Sequence, residues 1–179
     1  YPTFNYNPII IKDLKDSGVD IVSTANNHSM DRRSIGIRST MDSLDSYGMP
    51  YIGSRQNANE PFYKITQKGG WKIGWIACSF STNGIPDPED LILDCFDGRV
   101  SSIISAIKNS VDAVIVTPHW GDEYQTRPNN QQKRQAKQWL EDGAHAIIGA
   151  HPHVTQPWEK HTTADGREGF ILYSLGNFV

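Results

Sequence analysis

The chain carries six histidines, and four of them come directly after short apolar runs. His28 follows VDIVSTA, His119 follows AVIVTP, and His151 and His153 follow AIIGA. Imidazoles gathered with carboxamides and carboxylates are the donors of a transition-metal site. Asn26-Asn27-His28 by itself reads as a turn, and a functional Asn there would offer its carboxamide oxygen to a metal, which leaves His28 to give or take a proton. His151-Pro152-His153 is the sharpest element. In extended backbone, residues i and i+2 point the same way, so both rings are expected to reach one small volume, with the proline fixing φ between them. Gly149 just ahead admits a close approach of backbone or metal. The run His119-Trp120-Gly121-Asp122-Glu123-Tyr124 adds an imidazole and two carboxylates, one of them expected to be an ordinary solvated charge. Trp120 and Tyr124 are expected to pack rather than to bind substrate. His145 and His161 follow no strand and are expected at the surface or behind the site. Ser174 lacks the nucleophile-elbow pattern and reads as structural.

These residues need elements to hold them. Pro8, with Asn7 as N-cap, opens a helical pattern (Ile9, Ile10, Leu14) that stops at Gly18. A second helix runs from Ser34 to Tyr47 on Ile35, Ile37, Met41 and Leu44, and amphipathic helices follow at Val100–Ile107 and Gln131–Leu140. Strands are expected at Val19–Ala25, Tyr51-Ile52, Phe62–Thr66, Trp71–Phe80, Ala113–Val116, Ala146–Ile148 running on to His151, and Phe170–Tyr173. Residues 81–98, dense in Gly, Pro, Asn and Asp, read as a surface excursion. Helices alternating with apolar strands give an α/β fold with a mainly parallel sheet. In such sheets the strand ends lie together along one edge, where ligands bind. Residues 1–179 show no repeat or linker and read as one domain.

Composition excludes several functions. Seventeen Lys and Arg stand against 20 Asp and Glu, a net charge of −3, which argues against a nucleic-acid partner. No apolar run has the length of a membrane span, and two cysteines, Cys78 and Cys95, are too few for a disulfide scaffold and read as core or loop thiols. There is no P-loop, GxGxxG or GxSxG.

The motifs taken together resemble a known family. Asn26-Asn27-His28 with Asp31, His119-Trp120-Gly121 with Glu123-Tyr124, Gly149-Ala150-His151-Pro152-His153-Val154 with Gln156-Pro157, and Tyr173-Ser174-Leu175-Gly176-Asn177-Phe178 occur in that order over essentially the whole chain. This resembles the bacterial capsule-synthesis (CapA-type, poly-γ-glutamate) family, a branch of the calcineurin-like metallophosphoesterases. The resemblance implies a four-layer α/β/β/α sandwich with two divalent ions (Mn, Fe or Zn) at the strand ends. It implies Asn27, His119, His151 and His153 as metal ligands and His28 as the acid/base. Asn26, Asp31, Glu123, Tyr124 and Gln156 match positions for contacts to substrate or behind the ligands. It further implies an anionic polymer or phosphoester substrate, capsule-synthesis partners, and a place at the bacterial cell envelope, outside the cytoplasmic membrane.

The chain also departs from the family pattern. Asn26 stands where the wider superfamily has Gly, Ser29 follows His28 where an acid is usual, and His145 stands where the capsule branch has Asp. The family's first strand, with its Gly-Asp metal motif, is expected upstream of Tyr1. The ligands named here are all neutral, so residues 1–179 alone are expected to hold at most one divalent ion, weakly. Two rival functions stay open. One is a non-catalytic accessory module of a capsule synthesis or export complex. The other is an amidohydrolase-type barrel, which places HxH on its first strand and needs about 250 residues.

Overall fold

The computed structural model describes residues 3–177, so Phe178 of the last motif lies outside the described residues. In chain order the elements are α1 (Ile9–Asp16), β1 (Val22–Ser23), α2 (Arg33–Ser46), β2 (Tyr51–Ile52), β3 (Tyr63–Lys68), β4 (Trp71–Ser79), α3 (Arg99–Ile107), β5 (Ala113–His119), α4 (Asn130–Asp142), β6 (Ala146–Ile148), β7 (Trp158–Thr162) and β8 (Glu168–Leu172). Six strands form one sheet in the order β3-β4-β5-β6-β8-β7, while β1 and β2 pair separately. The block β4-β5-β6-β8 is parallel, and the edge strands β3 and β7 run antiparallel to it. The expected α/β architecture is therefore present.

Strand alternation explains the layers, because successive side chains on β4 enter different cores. Ile76 and Cys78 pack with Val100 and Ile104 of α3, Val114 and Val116 of β5, and Ala136, Trp139 and Leu140 of α4. Trp75 and Ala77 face the other way, toward Ile52 of β2 and Ile37 and Met41 of α2. Beyond them Ile11 of α1 and Leu44 of α2 close on Val22 and Tyr51. The order is thus α1 and α2, the β1–β2 pair, the six-stranded sheet, then α3 and α4. Gly53 permits the middle contact. Its φ is +98°, and a Cβ there would lie 2.5 Å from Ala25 Cβ and 3.0 Å from Ala77 Cβ.

Several expectations are corrected. Only Val22 and Ser23 of the apolar run 19–25 form ladder pairs, because β2 offers two residues to pair with. Ile35, placed on the apolar face of α2, is 80% exposed. β7 was not expected, since its sequence WEKHT lacks an apolar run. It is an edge strand, with only one neighbour to satisfy. Residues 81–98 are a surface excursion only in part, since 81–90 holds no buried residue while the stretch around Leu91–Cys95 turns inward. Leu91 and Leu93 are fully buried, and the segment threads between the two sheets. Arg55 N donates to Leu91 O and Leu93 N to Gly53 O on one side, while Ser79 N donates to Leu93 O and Cys95 N to Ser79 O on the other. The two cysteines are not separate thiols, since Cys78 at the end of β4 and Cys95 form a disulfide across this segment.

The bridge closes a loop between positions 17 residues apart, which constrains the unfolded chain by about 3 kcal/mol. Cys78→Ala/Cys95→Ala is accordingly expected to lower the unfolding free energy by about that amount in a denaturant titration. A change within experimental error would show that the segment is held without the bridge.

Candidate metal centre

The site begins where the parallel strands end. Trp120, fully buried and stacked on Trp139, donates its indole N–H to the Tyr173 carbonyl at 3.0 Å. Gly149 lies over this bond, and a Cβ there would meet Tyr173 O at 2.2 Å and Trp120 Nε1 at 2.5 Å. So the close approach foreseen at Gly149 is one of backbone and indole. Ala150 N donates to Pro118 O, Trp120 N to Ala150 O and Leu175 N to Gly149 O. These bonds fasten the exits of β5, β6 and β8 to one another. Trp120 is therefore a packing residue, as expected.

Three of the expected ligands converge. Asn27 Oδ1 and His119 Nε2 are 3.0 Å apart, and His151 Nδ1 is 3.1 Å from the same nitrogen. Two donors held side by side on one ion at about 2.1 Å lie about 3 Å apart, so this spacing fits a divalent cation. Burial, with His151, His153 and His28 nearby, pushes the His119 imidazole down to about 3, which keeps the ring neutral and its lone pair available. His151 is also pushed down by burial, although Glu123 opposes it. A buried nest of neutral imidazoles facing a carboxamide oxygen suits metal binding by the chemistry of its donors.

His153 joins by a different geometry from that expected. His151 has φ +105° and His153 φ +60°, so His-Pro-His is a strained turn rather than extended backbone. The rings still come together, with centroids 6.1 Å apart. Donor atoms of Glu123, His151 and His153 all lie within 4.8 Å of one another, the one such His/Cys/Asp/Glu group among the described residues. Of the two carboxylates in this loop, Asp122 accepts from Asn129 Nδ2 at 2.8 Å, and Glu123 is the one at the site. Tyr124 does not pack in the core. It is 68% exposed and stacks on the His153 ring, with centroids 5.8 Å apart. Gln156 is buried, donating to Gln125 O at 2.9 Å and accepting from Gln132 Nε2 at 3.0 Å.

His28 stands apart from the expected ligands, in its own pair. Its Nδ1 lies 2.9 Å from Asp31 Oδ2, and that carboxylate also accepts the Phe4 amide at 2.8 Å. Because the carboxylate accepts, Nδ1 carries the proton in this pair and Nε2 is the nitrogen outside it. The ring of Phe4 packs edge-on against His28 at 4.5 Å. The two departures beside His28 serve the turn. Asn26 Oδ1 accepts the His28 amide at 2.8 Å, and Ser29 Oγ bonds Thr24 O at 2.7 Å and Asn26 O at 2.8 Å.

Sequence reasoning missed three neighbours. Asn83 Oδ1 accepts from Asn27 Nδ2 at 3.2 Å, which turns the Asn27 oxygen toward His119. Phe80 covers His151, with centroids 4.6 Å apart, and Asn177 Oδ1 lies 2.8 Å from His153 Nδ1. A signal existed only for Asn177, inside the last motif. Asn83 lies in the segment read as an excursion. His145 accepts the Val114 amide and His161 pairs with Glu141, both away from the centre. Ser174 bonds Val154 O and Gly176 N, a structural role as expected.

Two outcomes follow. His119 is neutral in the fold down to about pH 3, whereas an unfolded imidazole takes a proton below about 6.5. Stability is therefore complete above pH 6.5 and falls as pH drops, by about 2 kcal/mol at pH 5 from this group. With chelator present, urea unfolding at pH 7.5 and 5 is expected to show a shallower acid loss for His119→Gln than for the parent chain. Equal losses would contradict the assignment. Separately, His151→Gly is expected to be about 1–2 kcal/mol more stable than His151→Ala, because glycine relieves the +105° φ. Equal midpoints would mean the turn is unstrained.

The fold has known counterparts. A putative 5'-nucleotidase from Staphylococcus aureus, solved with alpha-ketoglutarate, superimposes with TM-score 0.61 at 17% identity, covering 92% of this chain and 34% of that one. The sulfate thiohydrolase SoxB of Thermus thermophilus, solved with glycerol, gives 0.60 at 15% identity, over 94% and 30%. The fold is metallophosphoesterase-like. Among curated proteins, the capsule biosynthesis protein CapA of Bacillus anthracis is 29% identical over 177 residues, and the PGA biosynthesis protein CapA of Bacillus subtilis (strain 168) is 31% identical over 183. Each alignment covers 94% of this chain, which spans 42% and 44% of those relatives. Residues 1–179 match throughout the family described as bacterial capsule synthesis protein PGA_cap, and the chain belongs to that family.

Proposed function

We propose that the chain is the metal-binding core of a hydrolase acting on an anionic polymer, such as poly-γ-glutamate, or on a phosphoester. The observation that carries this reading is the contact of Asn27 Oδ1, His119 Nε2 and His151 Nδ1 at 3.0–3.1 Å, beside His153. Those four residues would hold divalent cations, Mn, Fe or Zn, in a pair if the family pattern applies. When bound, such ions polarise the scissile group and lower the pKa of water. The protein's own part is positioning and proton transfer. Asn83 orients Asn27, Phe80 shields His151, and His28, as the imidazolium whose Nδ1–H is held by Asp31, would give its Nε2 proton to the leaving group and be left neutral.

The accessory-module reading drew on the departures at Asn26 and Ser29. Both side chains are engaged in building the turn that presents Asn27 and His28, so neither departure speaks against chemistry. The barrel reading fails on topology, since the central sheet is open and ends at β3 and β7. Placement at the outer side of the cytoplasmic membrane, with capsule-synthesis partners, is supported by the family and by the Cys78–Cys95 bridge, because disulfides persist in oxidising compartments. Among the described residues no helix is long and apolar enough to cross a membrane.

The test is metal content by elemental analysis together with hydrolysis of a phosphodiester and of a γ-glutamyl polymer. His28→Ala is expected to keep its metal and lose turnover by roughly 10²–10⁴-fold, and Asp31→Asn to lose turnover without losing metal. Loss of metal from His28→Ala would make His28 a ligand. Full capsule function of His28→Ala in cells would favour the accessory module instead.

A further inference from the structure

We propose that Glu123 is a metal ligand of this centre, its carboxylate supplying the negative charge that Asn27, His119, His151 and His153 lack, and that the buried Gln132–Gln156 pair positions it. The inference rests on the metal-centre reading and extends it to a residue outside the four ligands named above. Glu123, His151 and His153 present donor atoms within 4.8 Å of one another. Neighbouring ligands of a tetrahedral ion at about 2.1 Å lie about 3.4 Å apart, so each pair of this group has to close by at most about 1.4 Å. Two imidazoles and a glutamate form a donor set that leaves a further position open for water or substrate, and one that takes borderline divalent cations.

The loop that carries Glu123 is held more firmly than an exposed loop needs to be. Gly121 turns it with φ +90°, and a Cβ there would strike the Gln132 carboxamide at 2.7 Å. Tyr124, at φ +62°, donates its amide to Pro152 O at 2.7 Å, which ties the loop to the His-Pro-His turn. Next to it, Gln125 O accepts from Gln156 Nε2 at 2.9 Å, and Gln156 Oε1 accepts from Gln132 Nε2 at 3.0 Å. Gln132 is 1% exposed and Gln156 5%. On α4 the other buried positions are Ala136, Trp139 and Leu140, so a carboxamide among them needs a compensating partner. Gln132 spends its side chain on the Asn129 cap and on Gln156, and Gln156 spends its own on the Glu123 loop. The chain of amides thus runs from the helix start to the backbone two residues past Glu123.

Cobalt(II) titration followed by visible absorbance tests this, because band position and intensity report the ligands directly. The parent protein is expected to bind, with Zn(II) displacing the cobalt. Glu123→Gln, nearly isosteric and exposed, is expected to weaken binding by more than about 100-fold and to shift the spectrum, while Glu123→Asp recovers part of the loss. Gln156→Leu is expected to weaken binding by about 10–100-fold, the range for an outer partner of a ligand. Its fold is checked by circular dichroism, and Glu123→Gln decides the ligand assignment if Gln156→Leu does not fold. Parent-like cobalt binding by Glu123→Gln, with binding lost in His151→Ala, overturns this inference and leaves the metal centre standing. Parent-like binding by a folded Gln156→Leu overturns the positioning role. No binding by the parent protein overturns both readings.

Discussion

The bond from the Trp120 indole to the Tyr173 carbonyl, made under Gly149, is the contact on which the site depends. It is fully buried and joins the ends of β5 and β8 across β6, in a place where no side chain at position 149 would fit. An unmade N–H or carbonyl there would cost about 1–3 kcal/mol, so the three strand exits are held in one arrangement. His119 immediately precedes this indole, and His151 follows Gly149 by two residues. Their approach to 3.1 Å is a consequence of backbone that is already fixed. Such rigid support is what a constellation of ligands requires.

Around that fixed edge the site divides its labour by environment. His119 lies partly buried among other imidazoles, and burial keeps it neutral. His28 instead is paired with the Asp31 carboxylate through Nδ1, at 2.9 Å. Strain is concentrated in the His-Pro-His turn, and hydrogen bonds from Tyr124 and toward Asn177 keep it there. Backbone in sparsely populated regions survives only where its surroundings over-determine it.

The positions of the histidines after apolar runs were readable because a buried parallel strand is a continuous hydrophobic stretch, and its end is marked by the first polar residue. That rule located His119, His151 and the loop of Asn27 and His28. It could not reveal that His151 and His153 have positive φ, since a proline between two histidines suggests extension and only tertiary contacts impose the turn. The segment 81–98 misled for a related reason. Its turn residues are real, but Leu91, Ile92 and Leu93 are buried among them, and three apolar residues make too short a run to register. Cys78 and Cys95 reveal a partner only when the fold brings their Cα atoms to 5.0 Å. β7 is polar because an edge strand need not be otherwise, and Asn83 depended on the path of the misread segment.

The Asn27–His119 contact also has a meaning in time. The two residues are 92 positions apart, and the parallel ladder that brings β5 beside β4 must close long stretches of chain before either can find the other. Closing such stretches costs chain entropy that local contacts do not, so this pair depends on the sheet being formed. A partly folded chain has the same donor atoms but not the same nest. An ion taken up by this nest would therefore select the completed fold, and would draw the population away from earlier, open forms in proportion to its concentration.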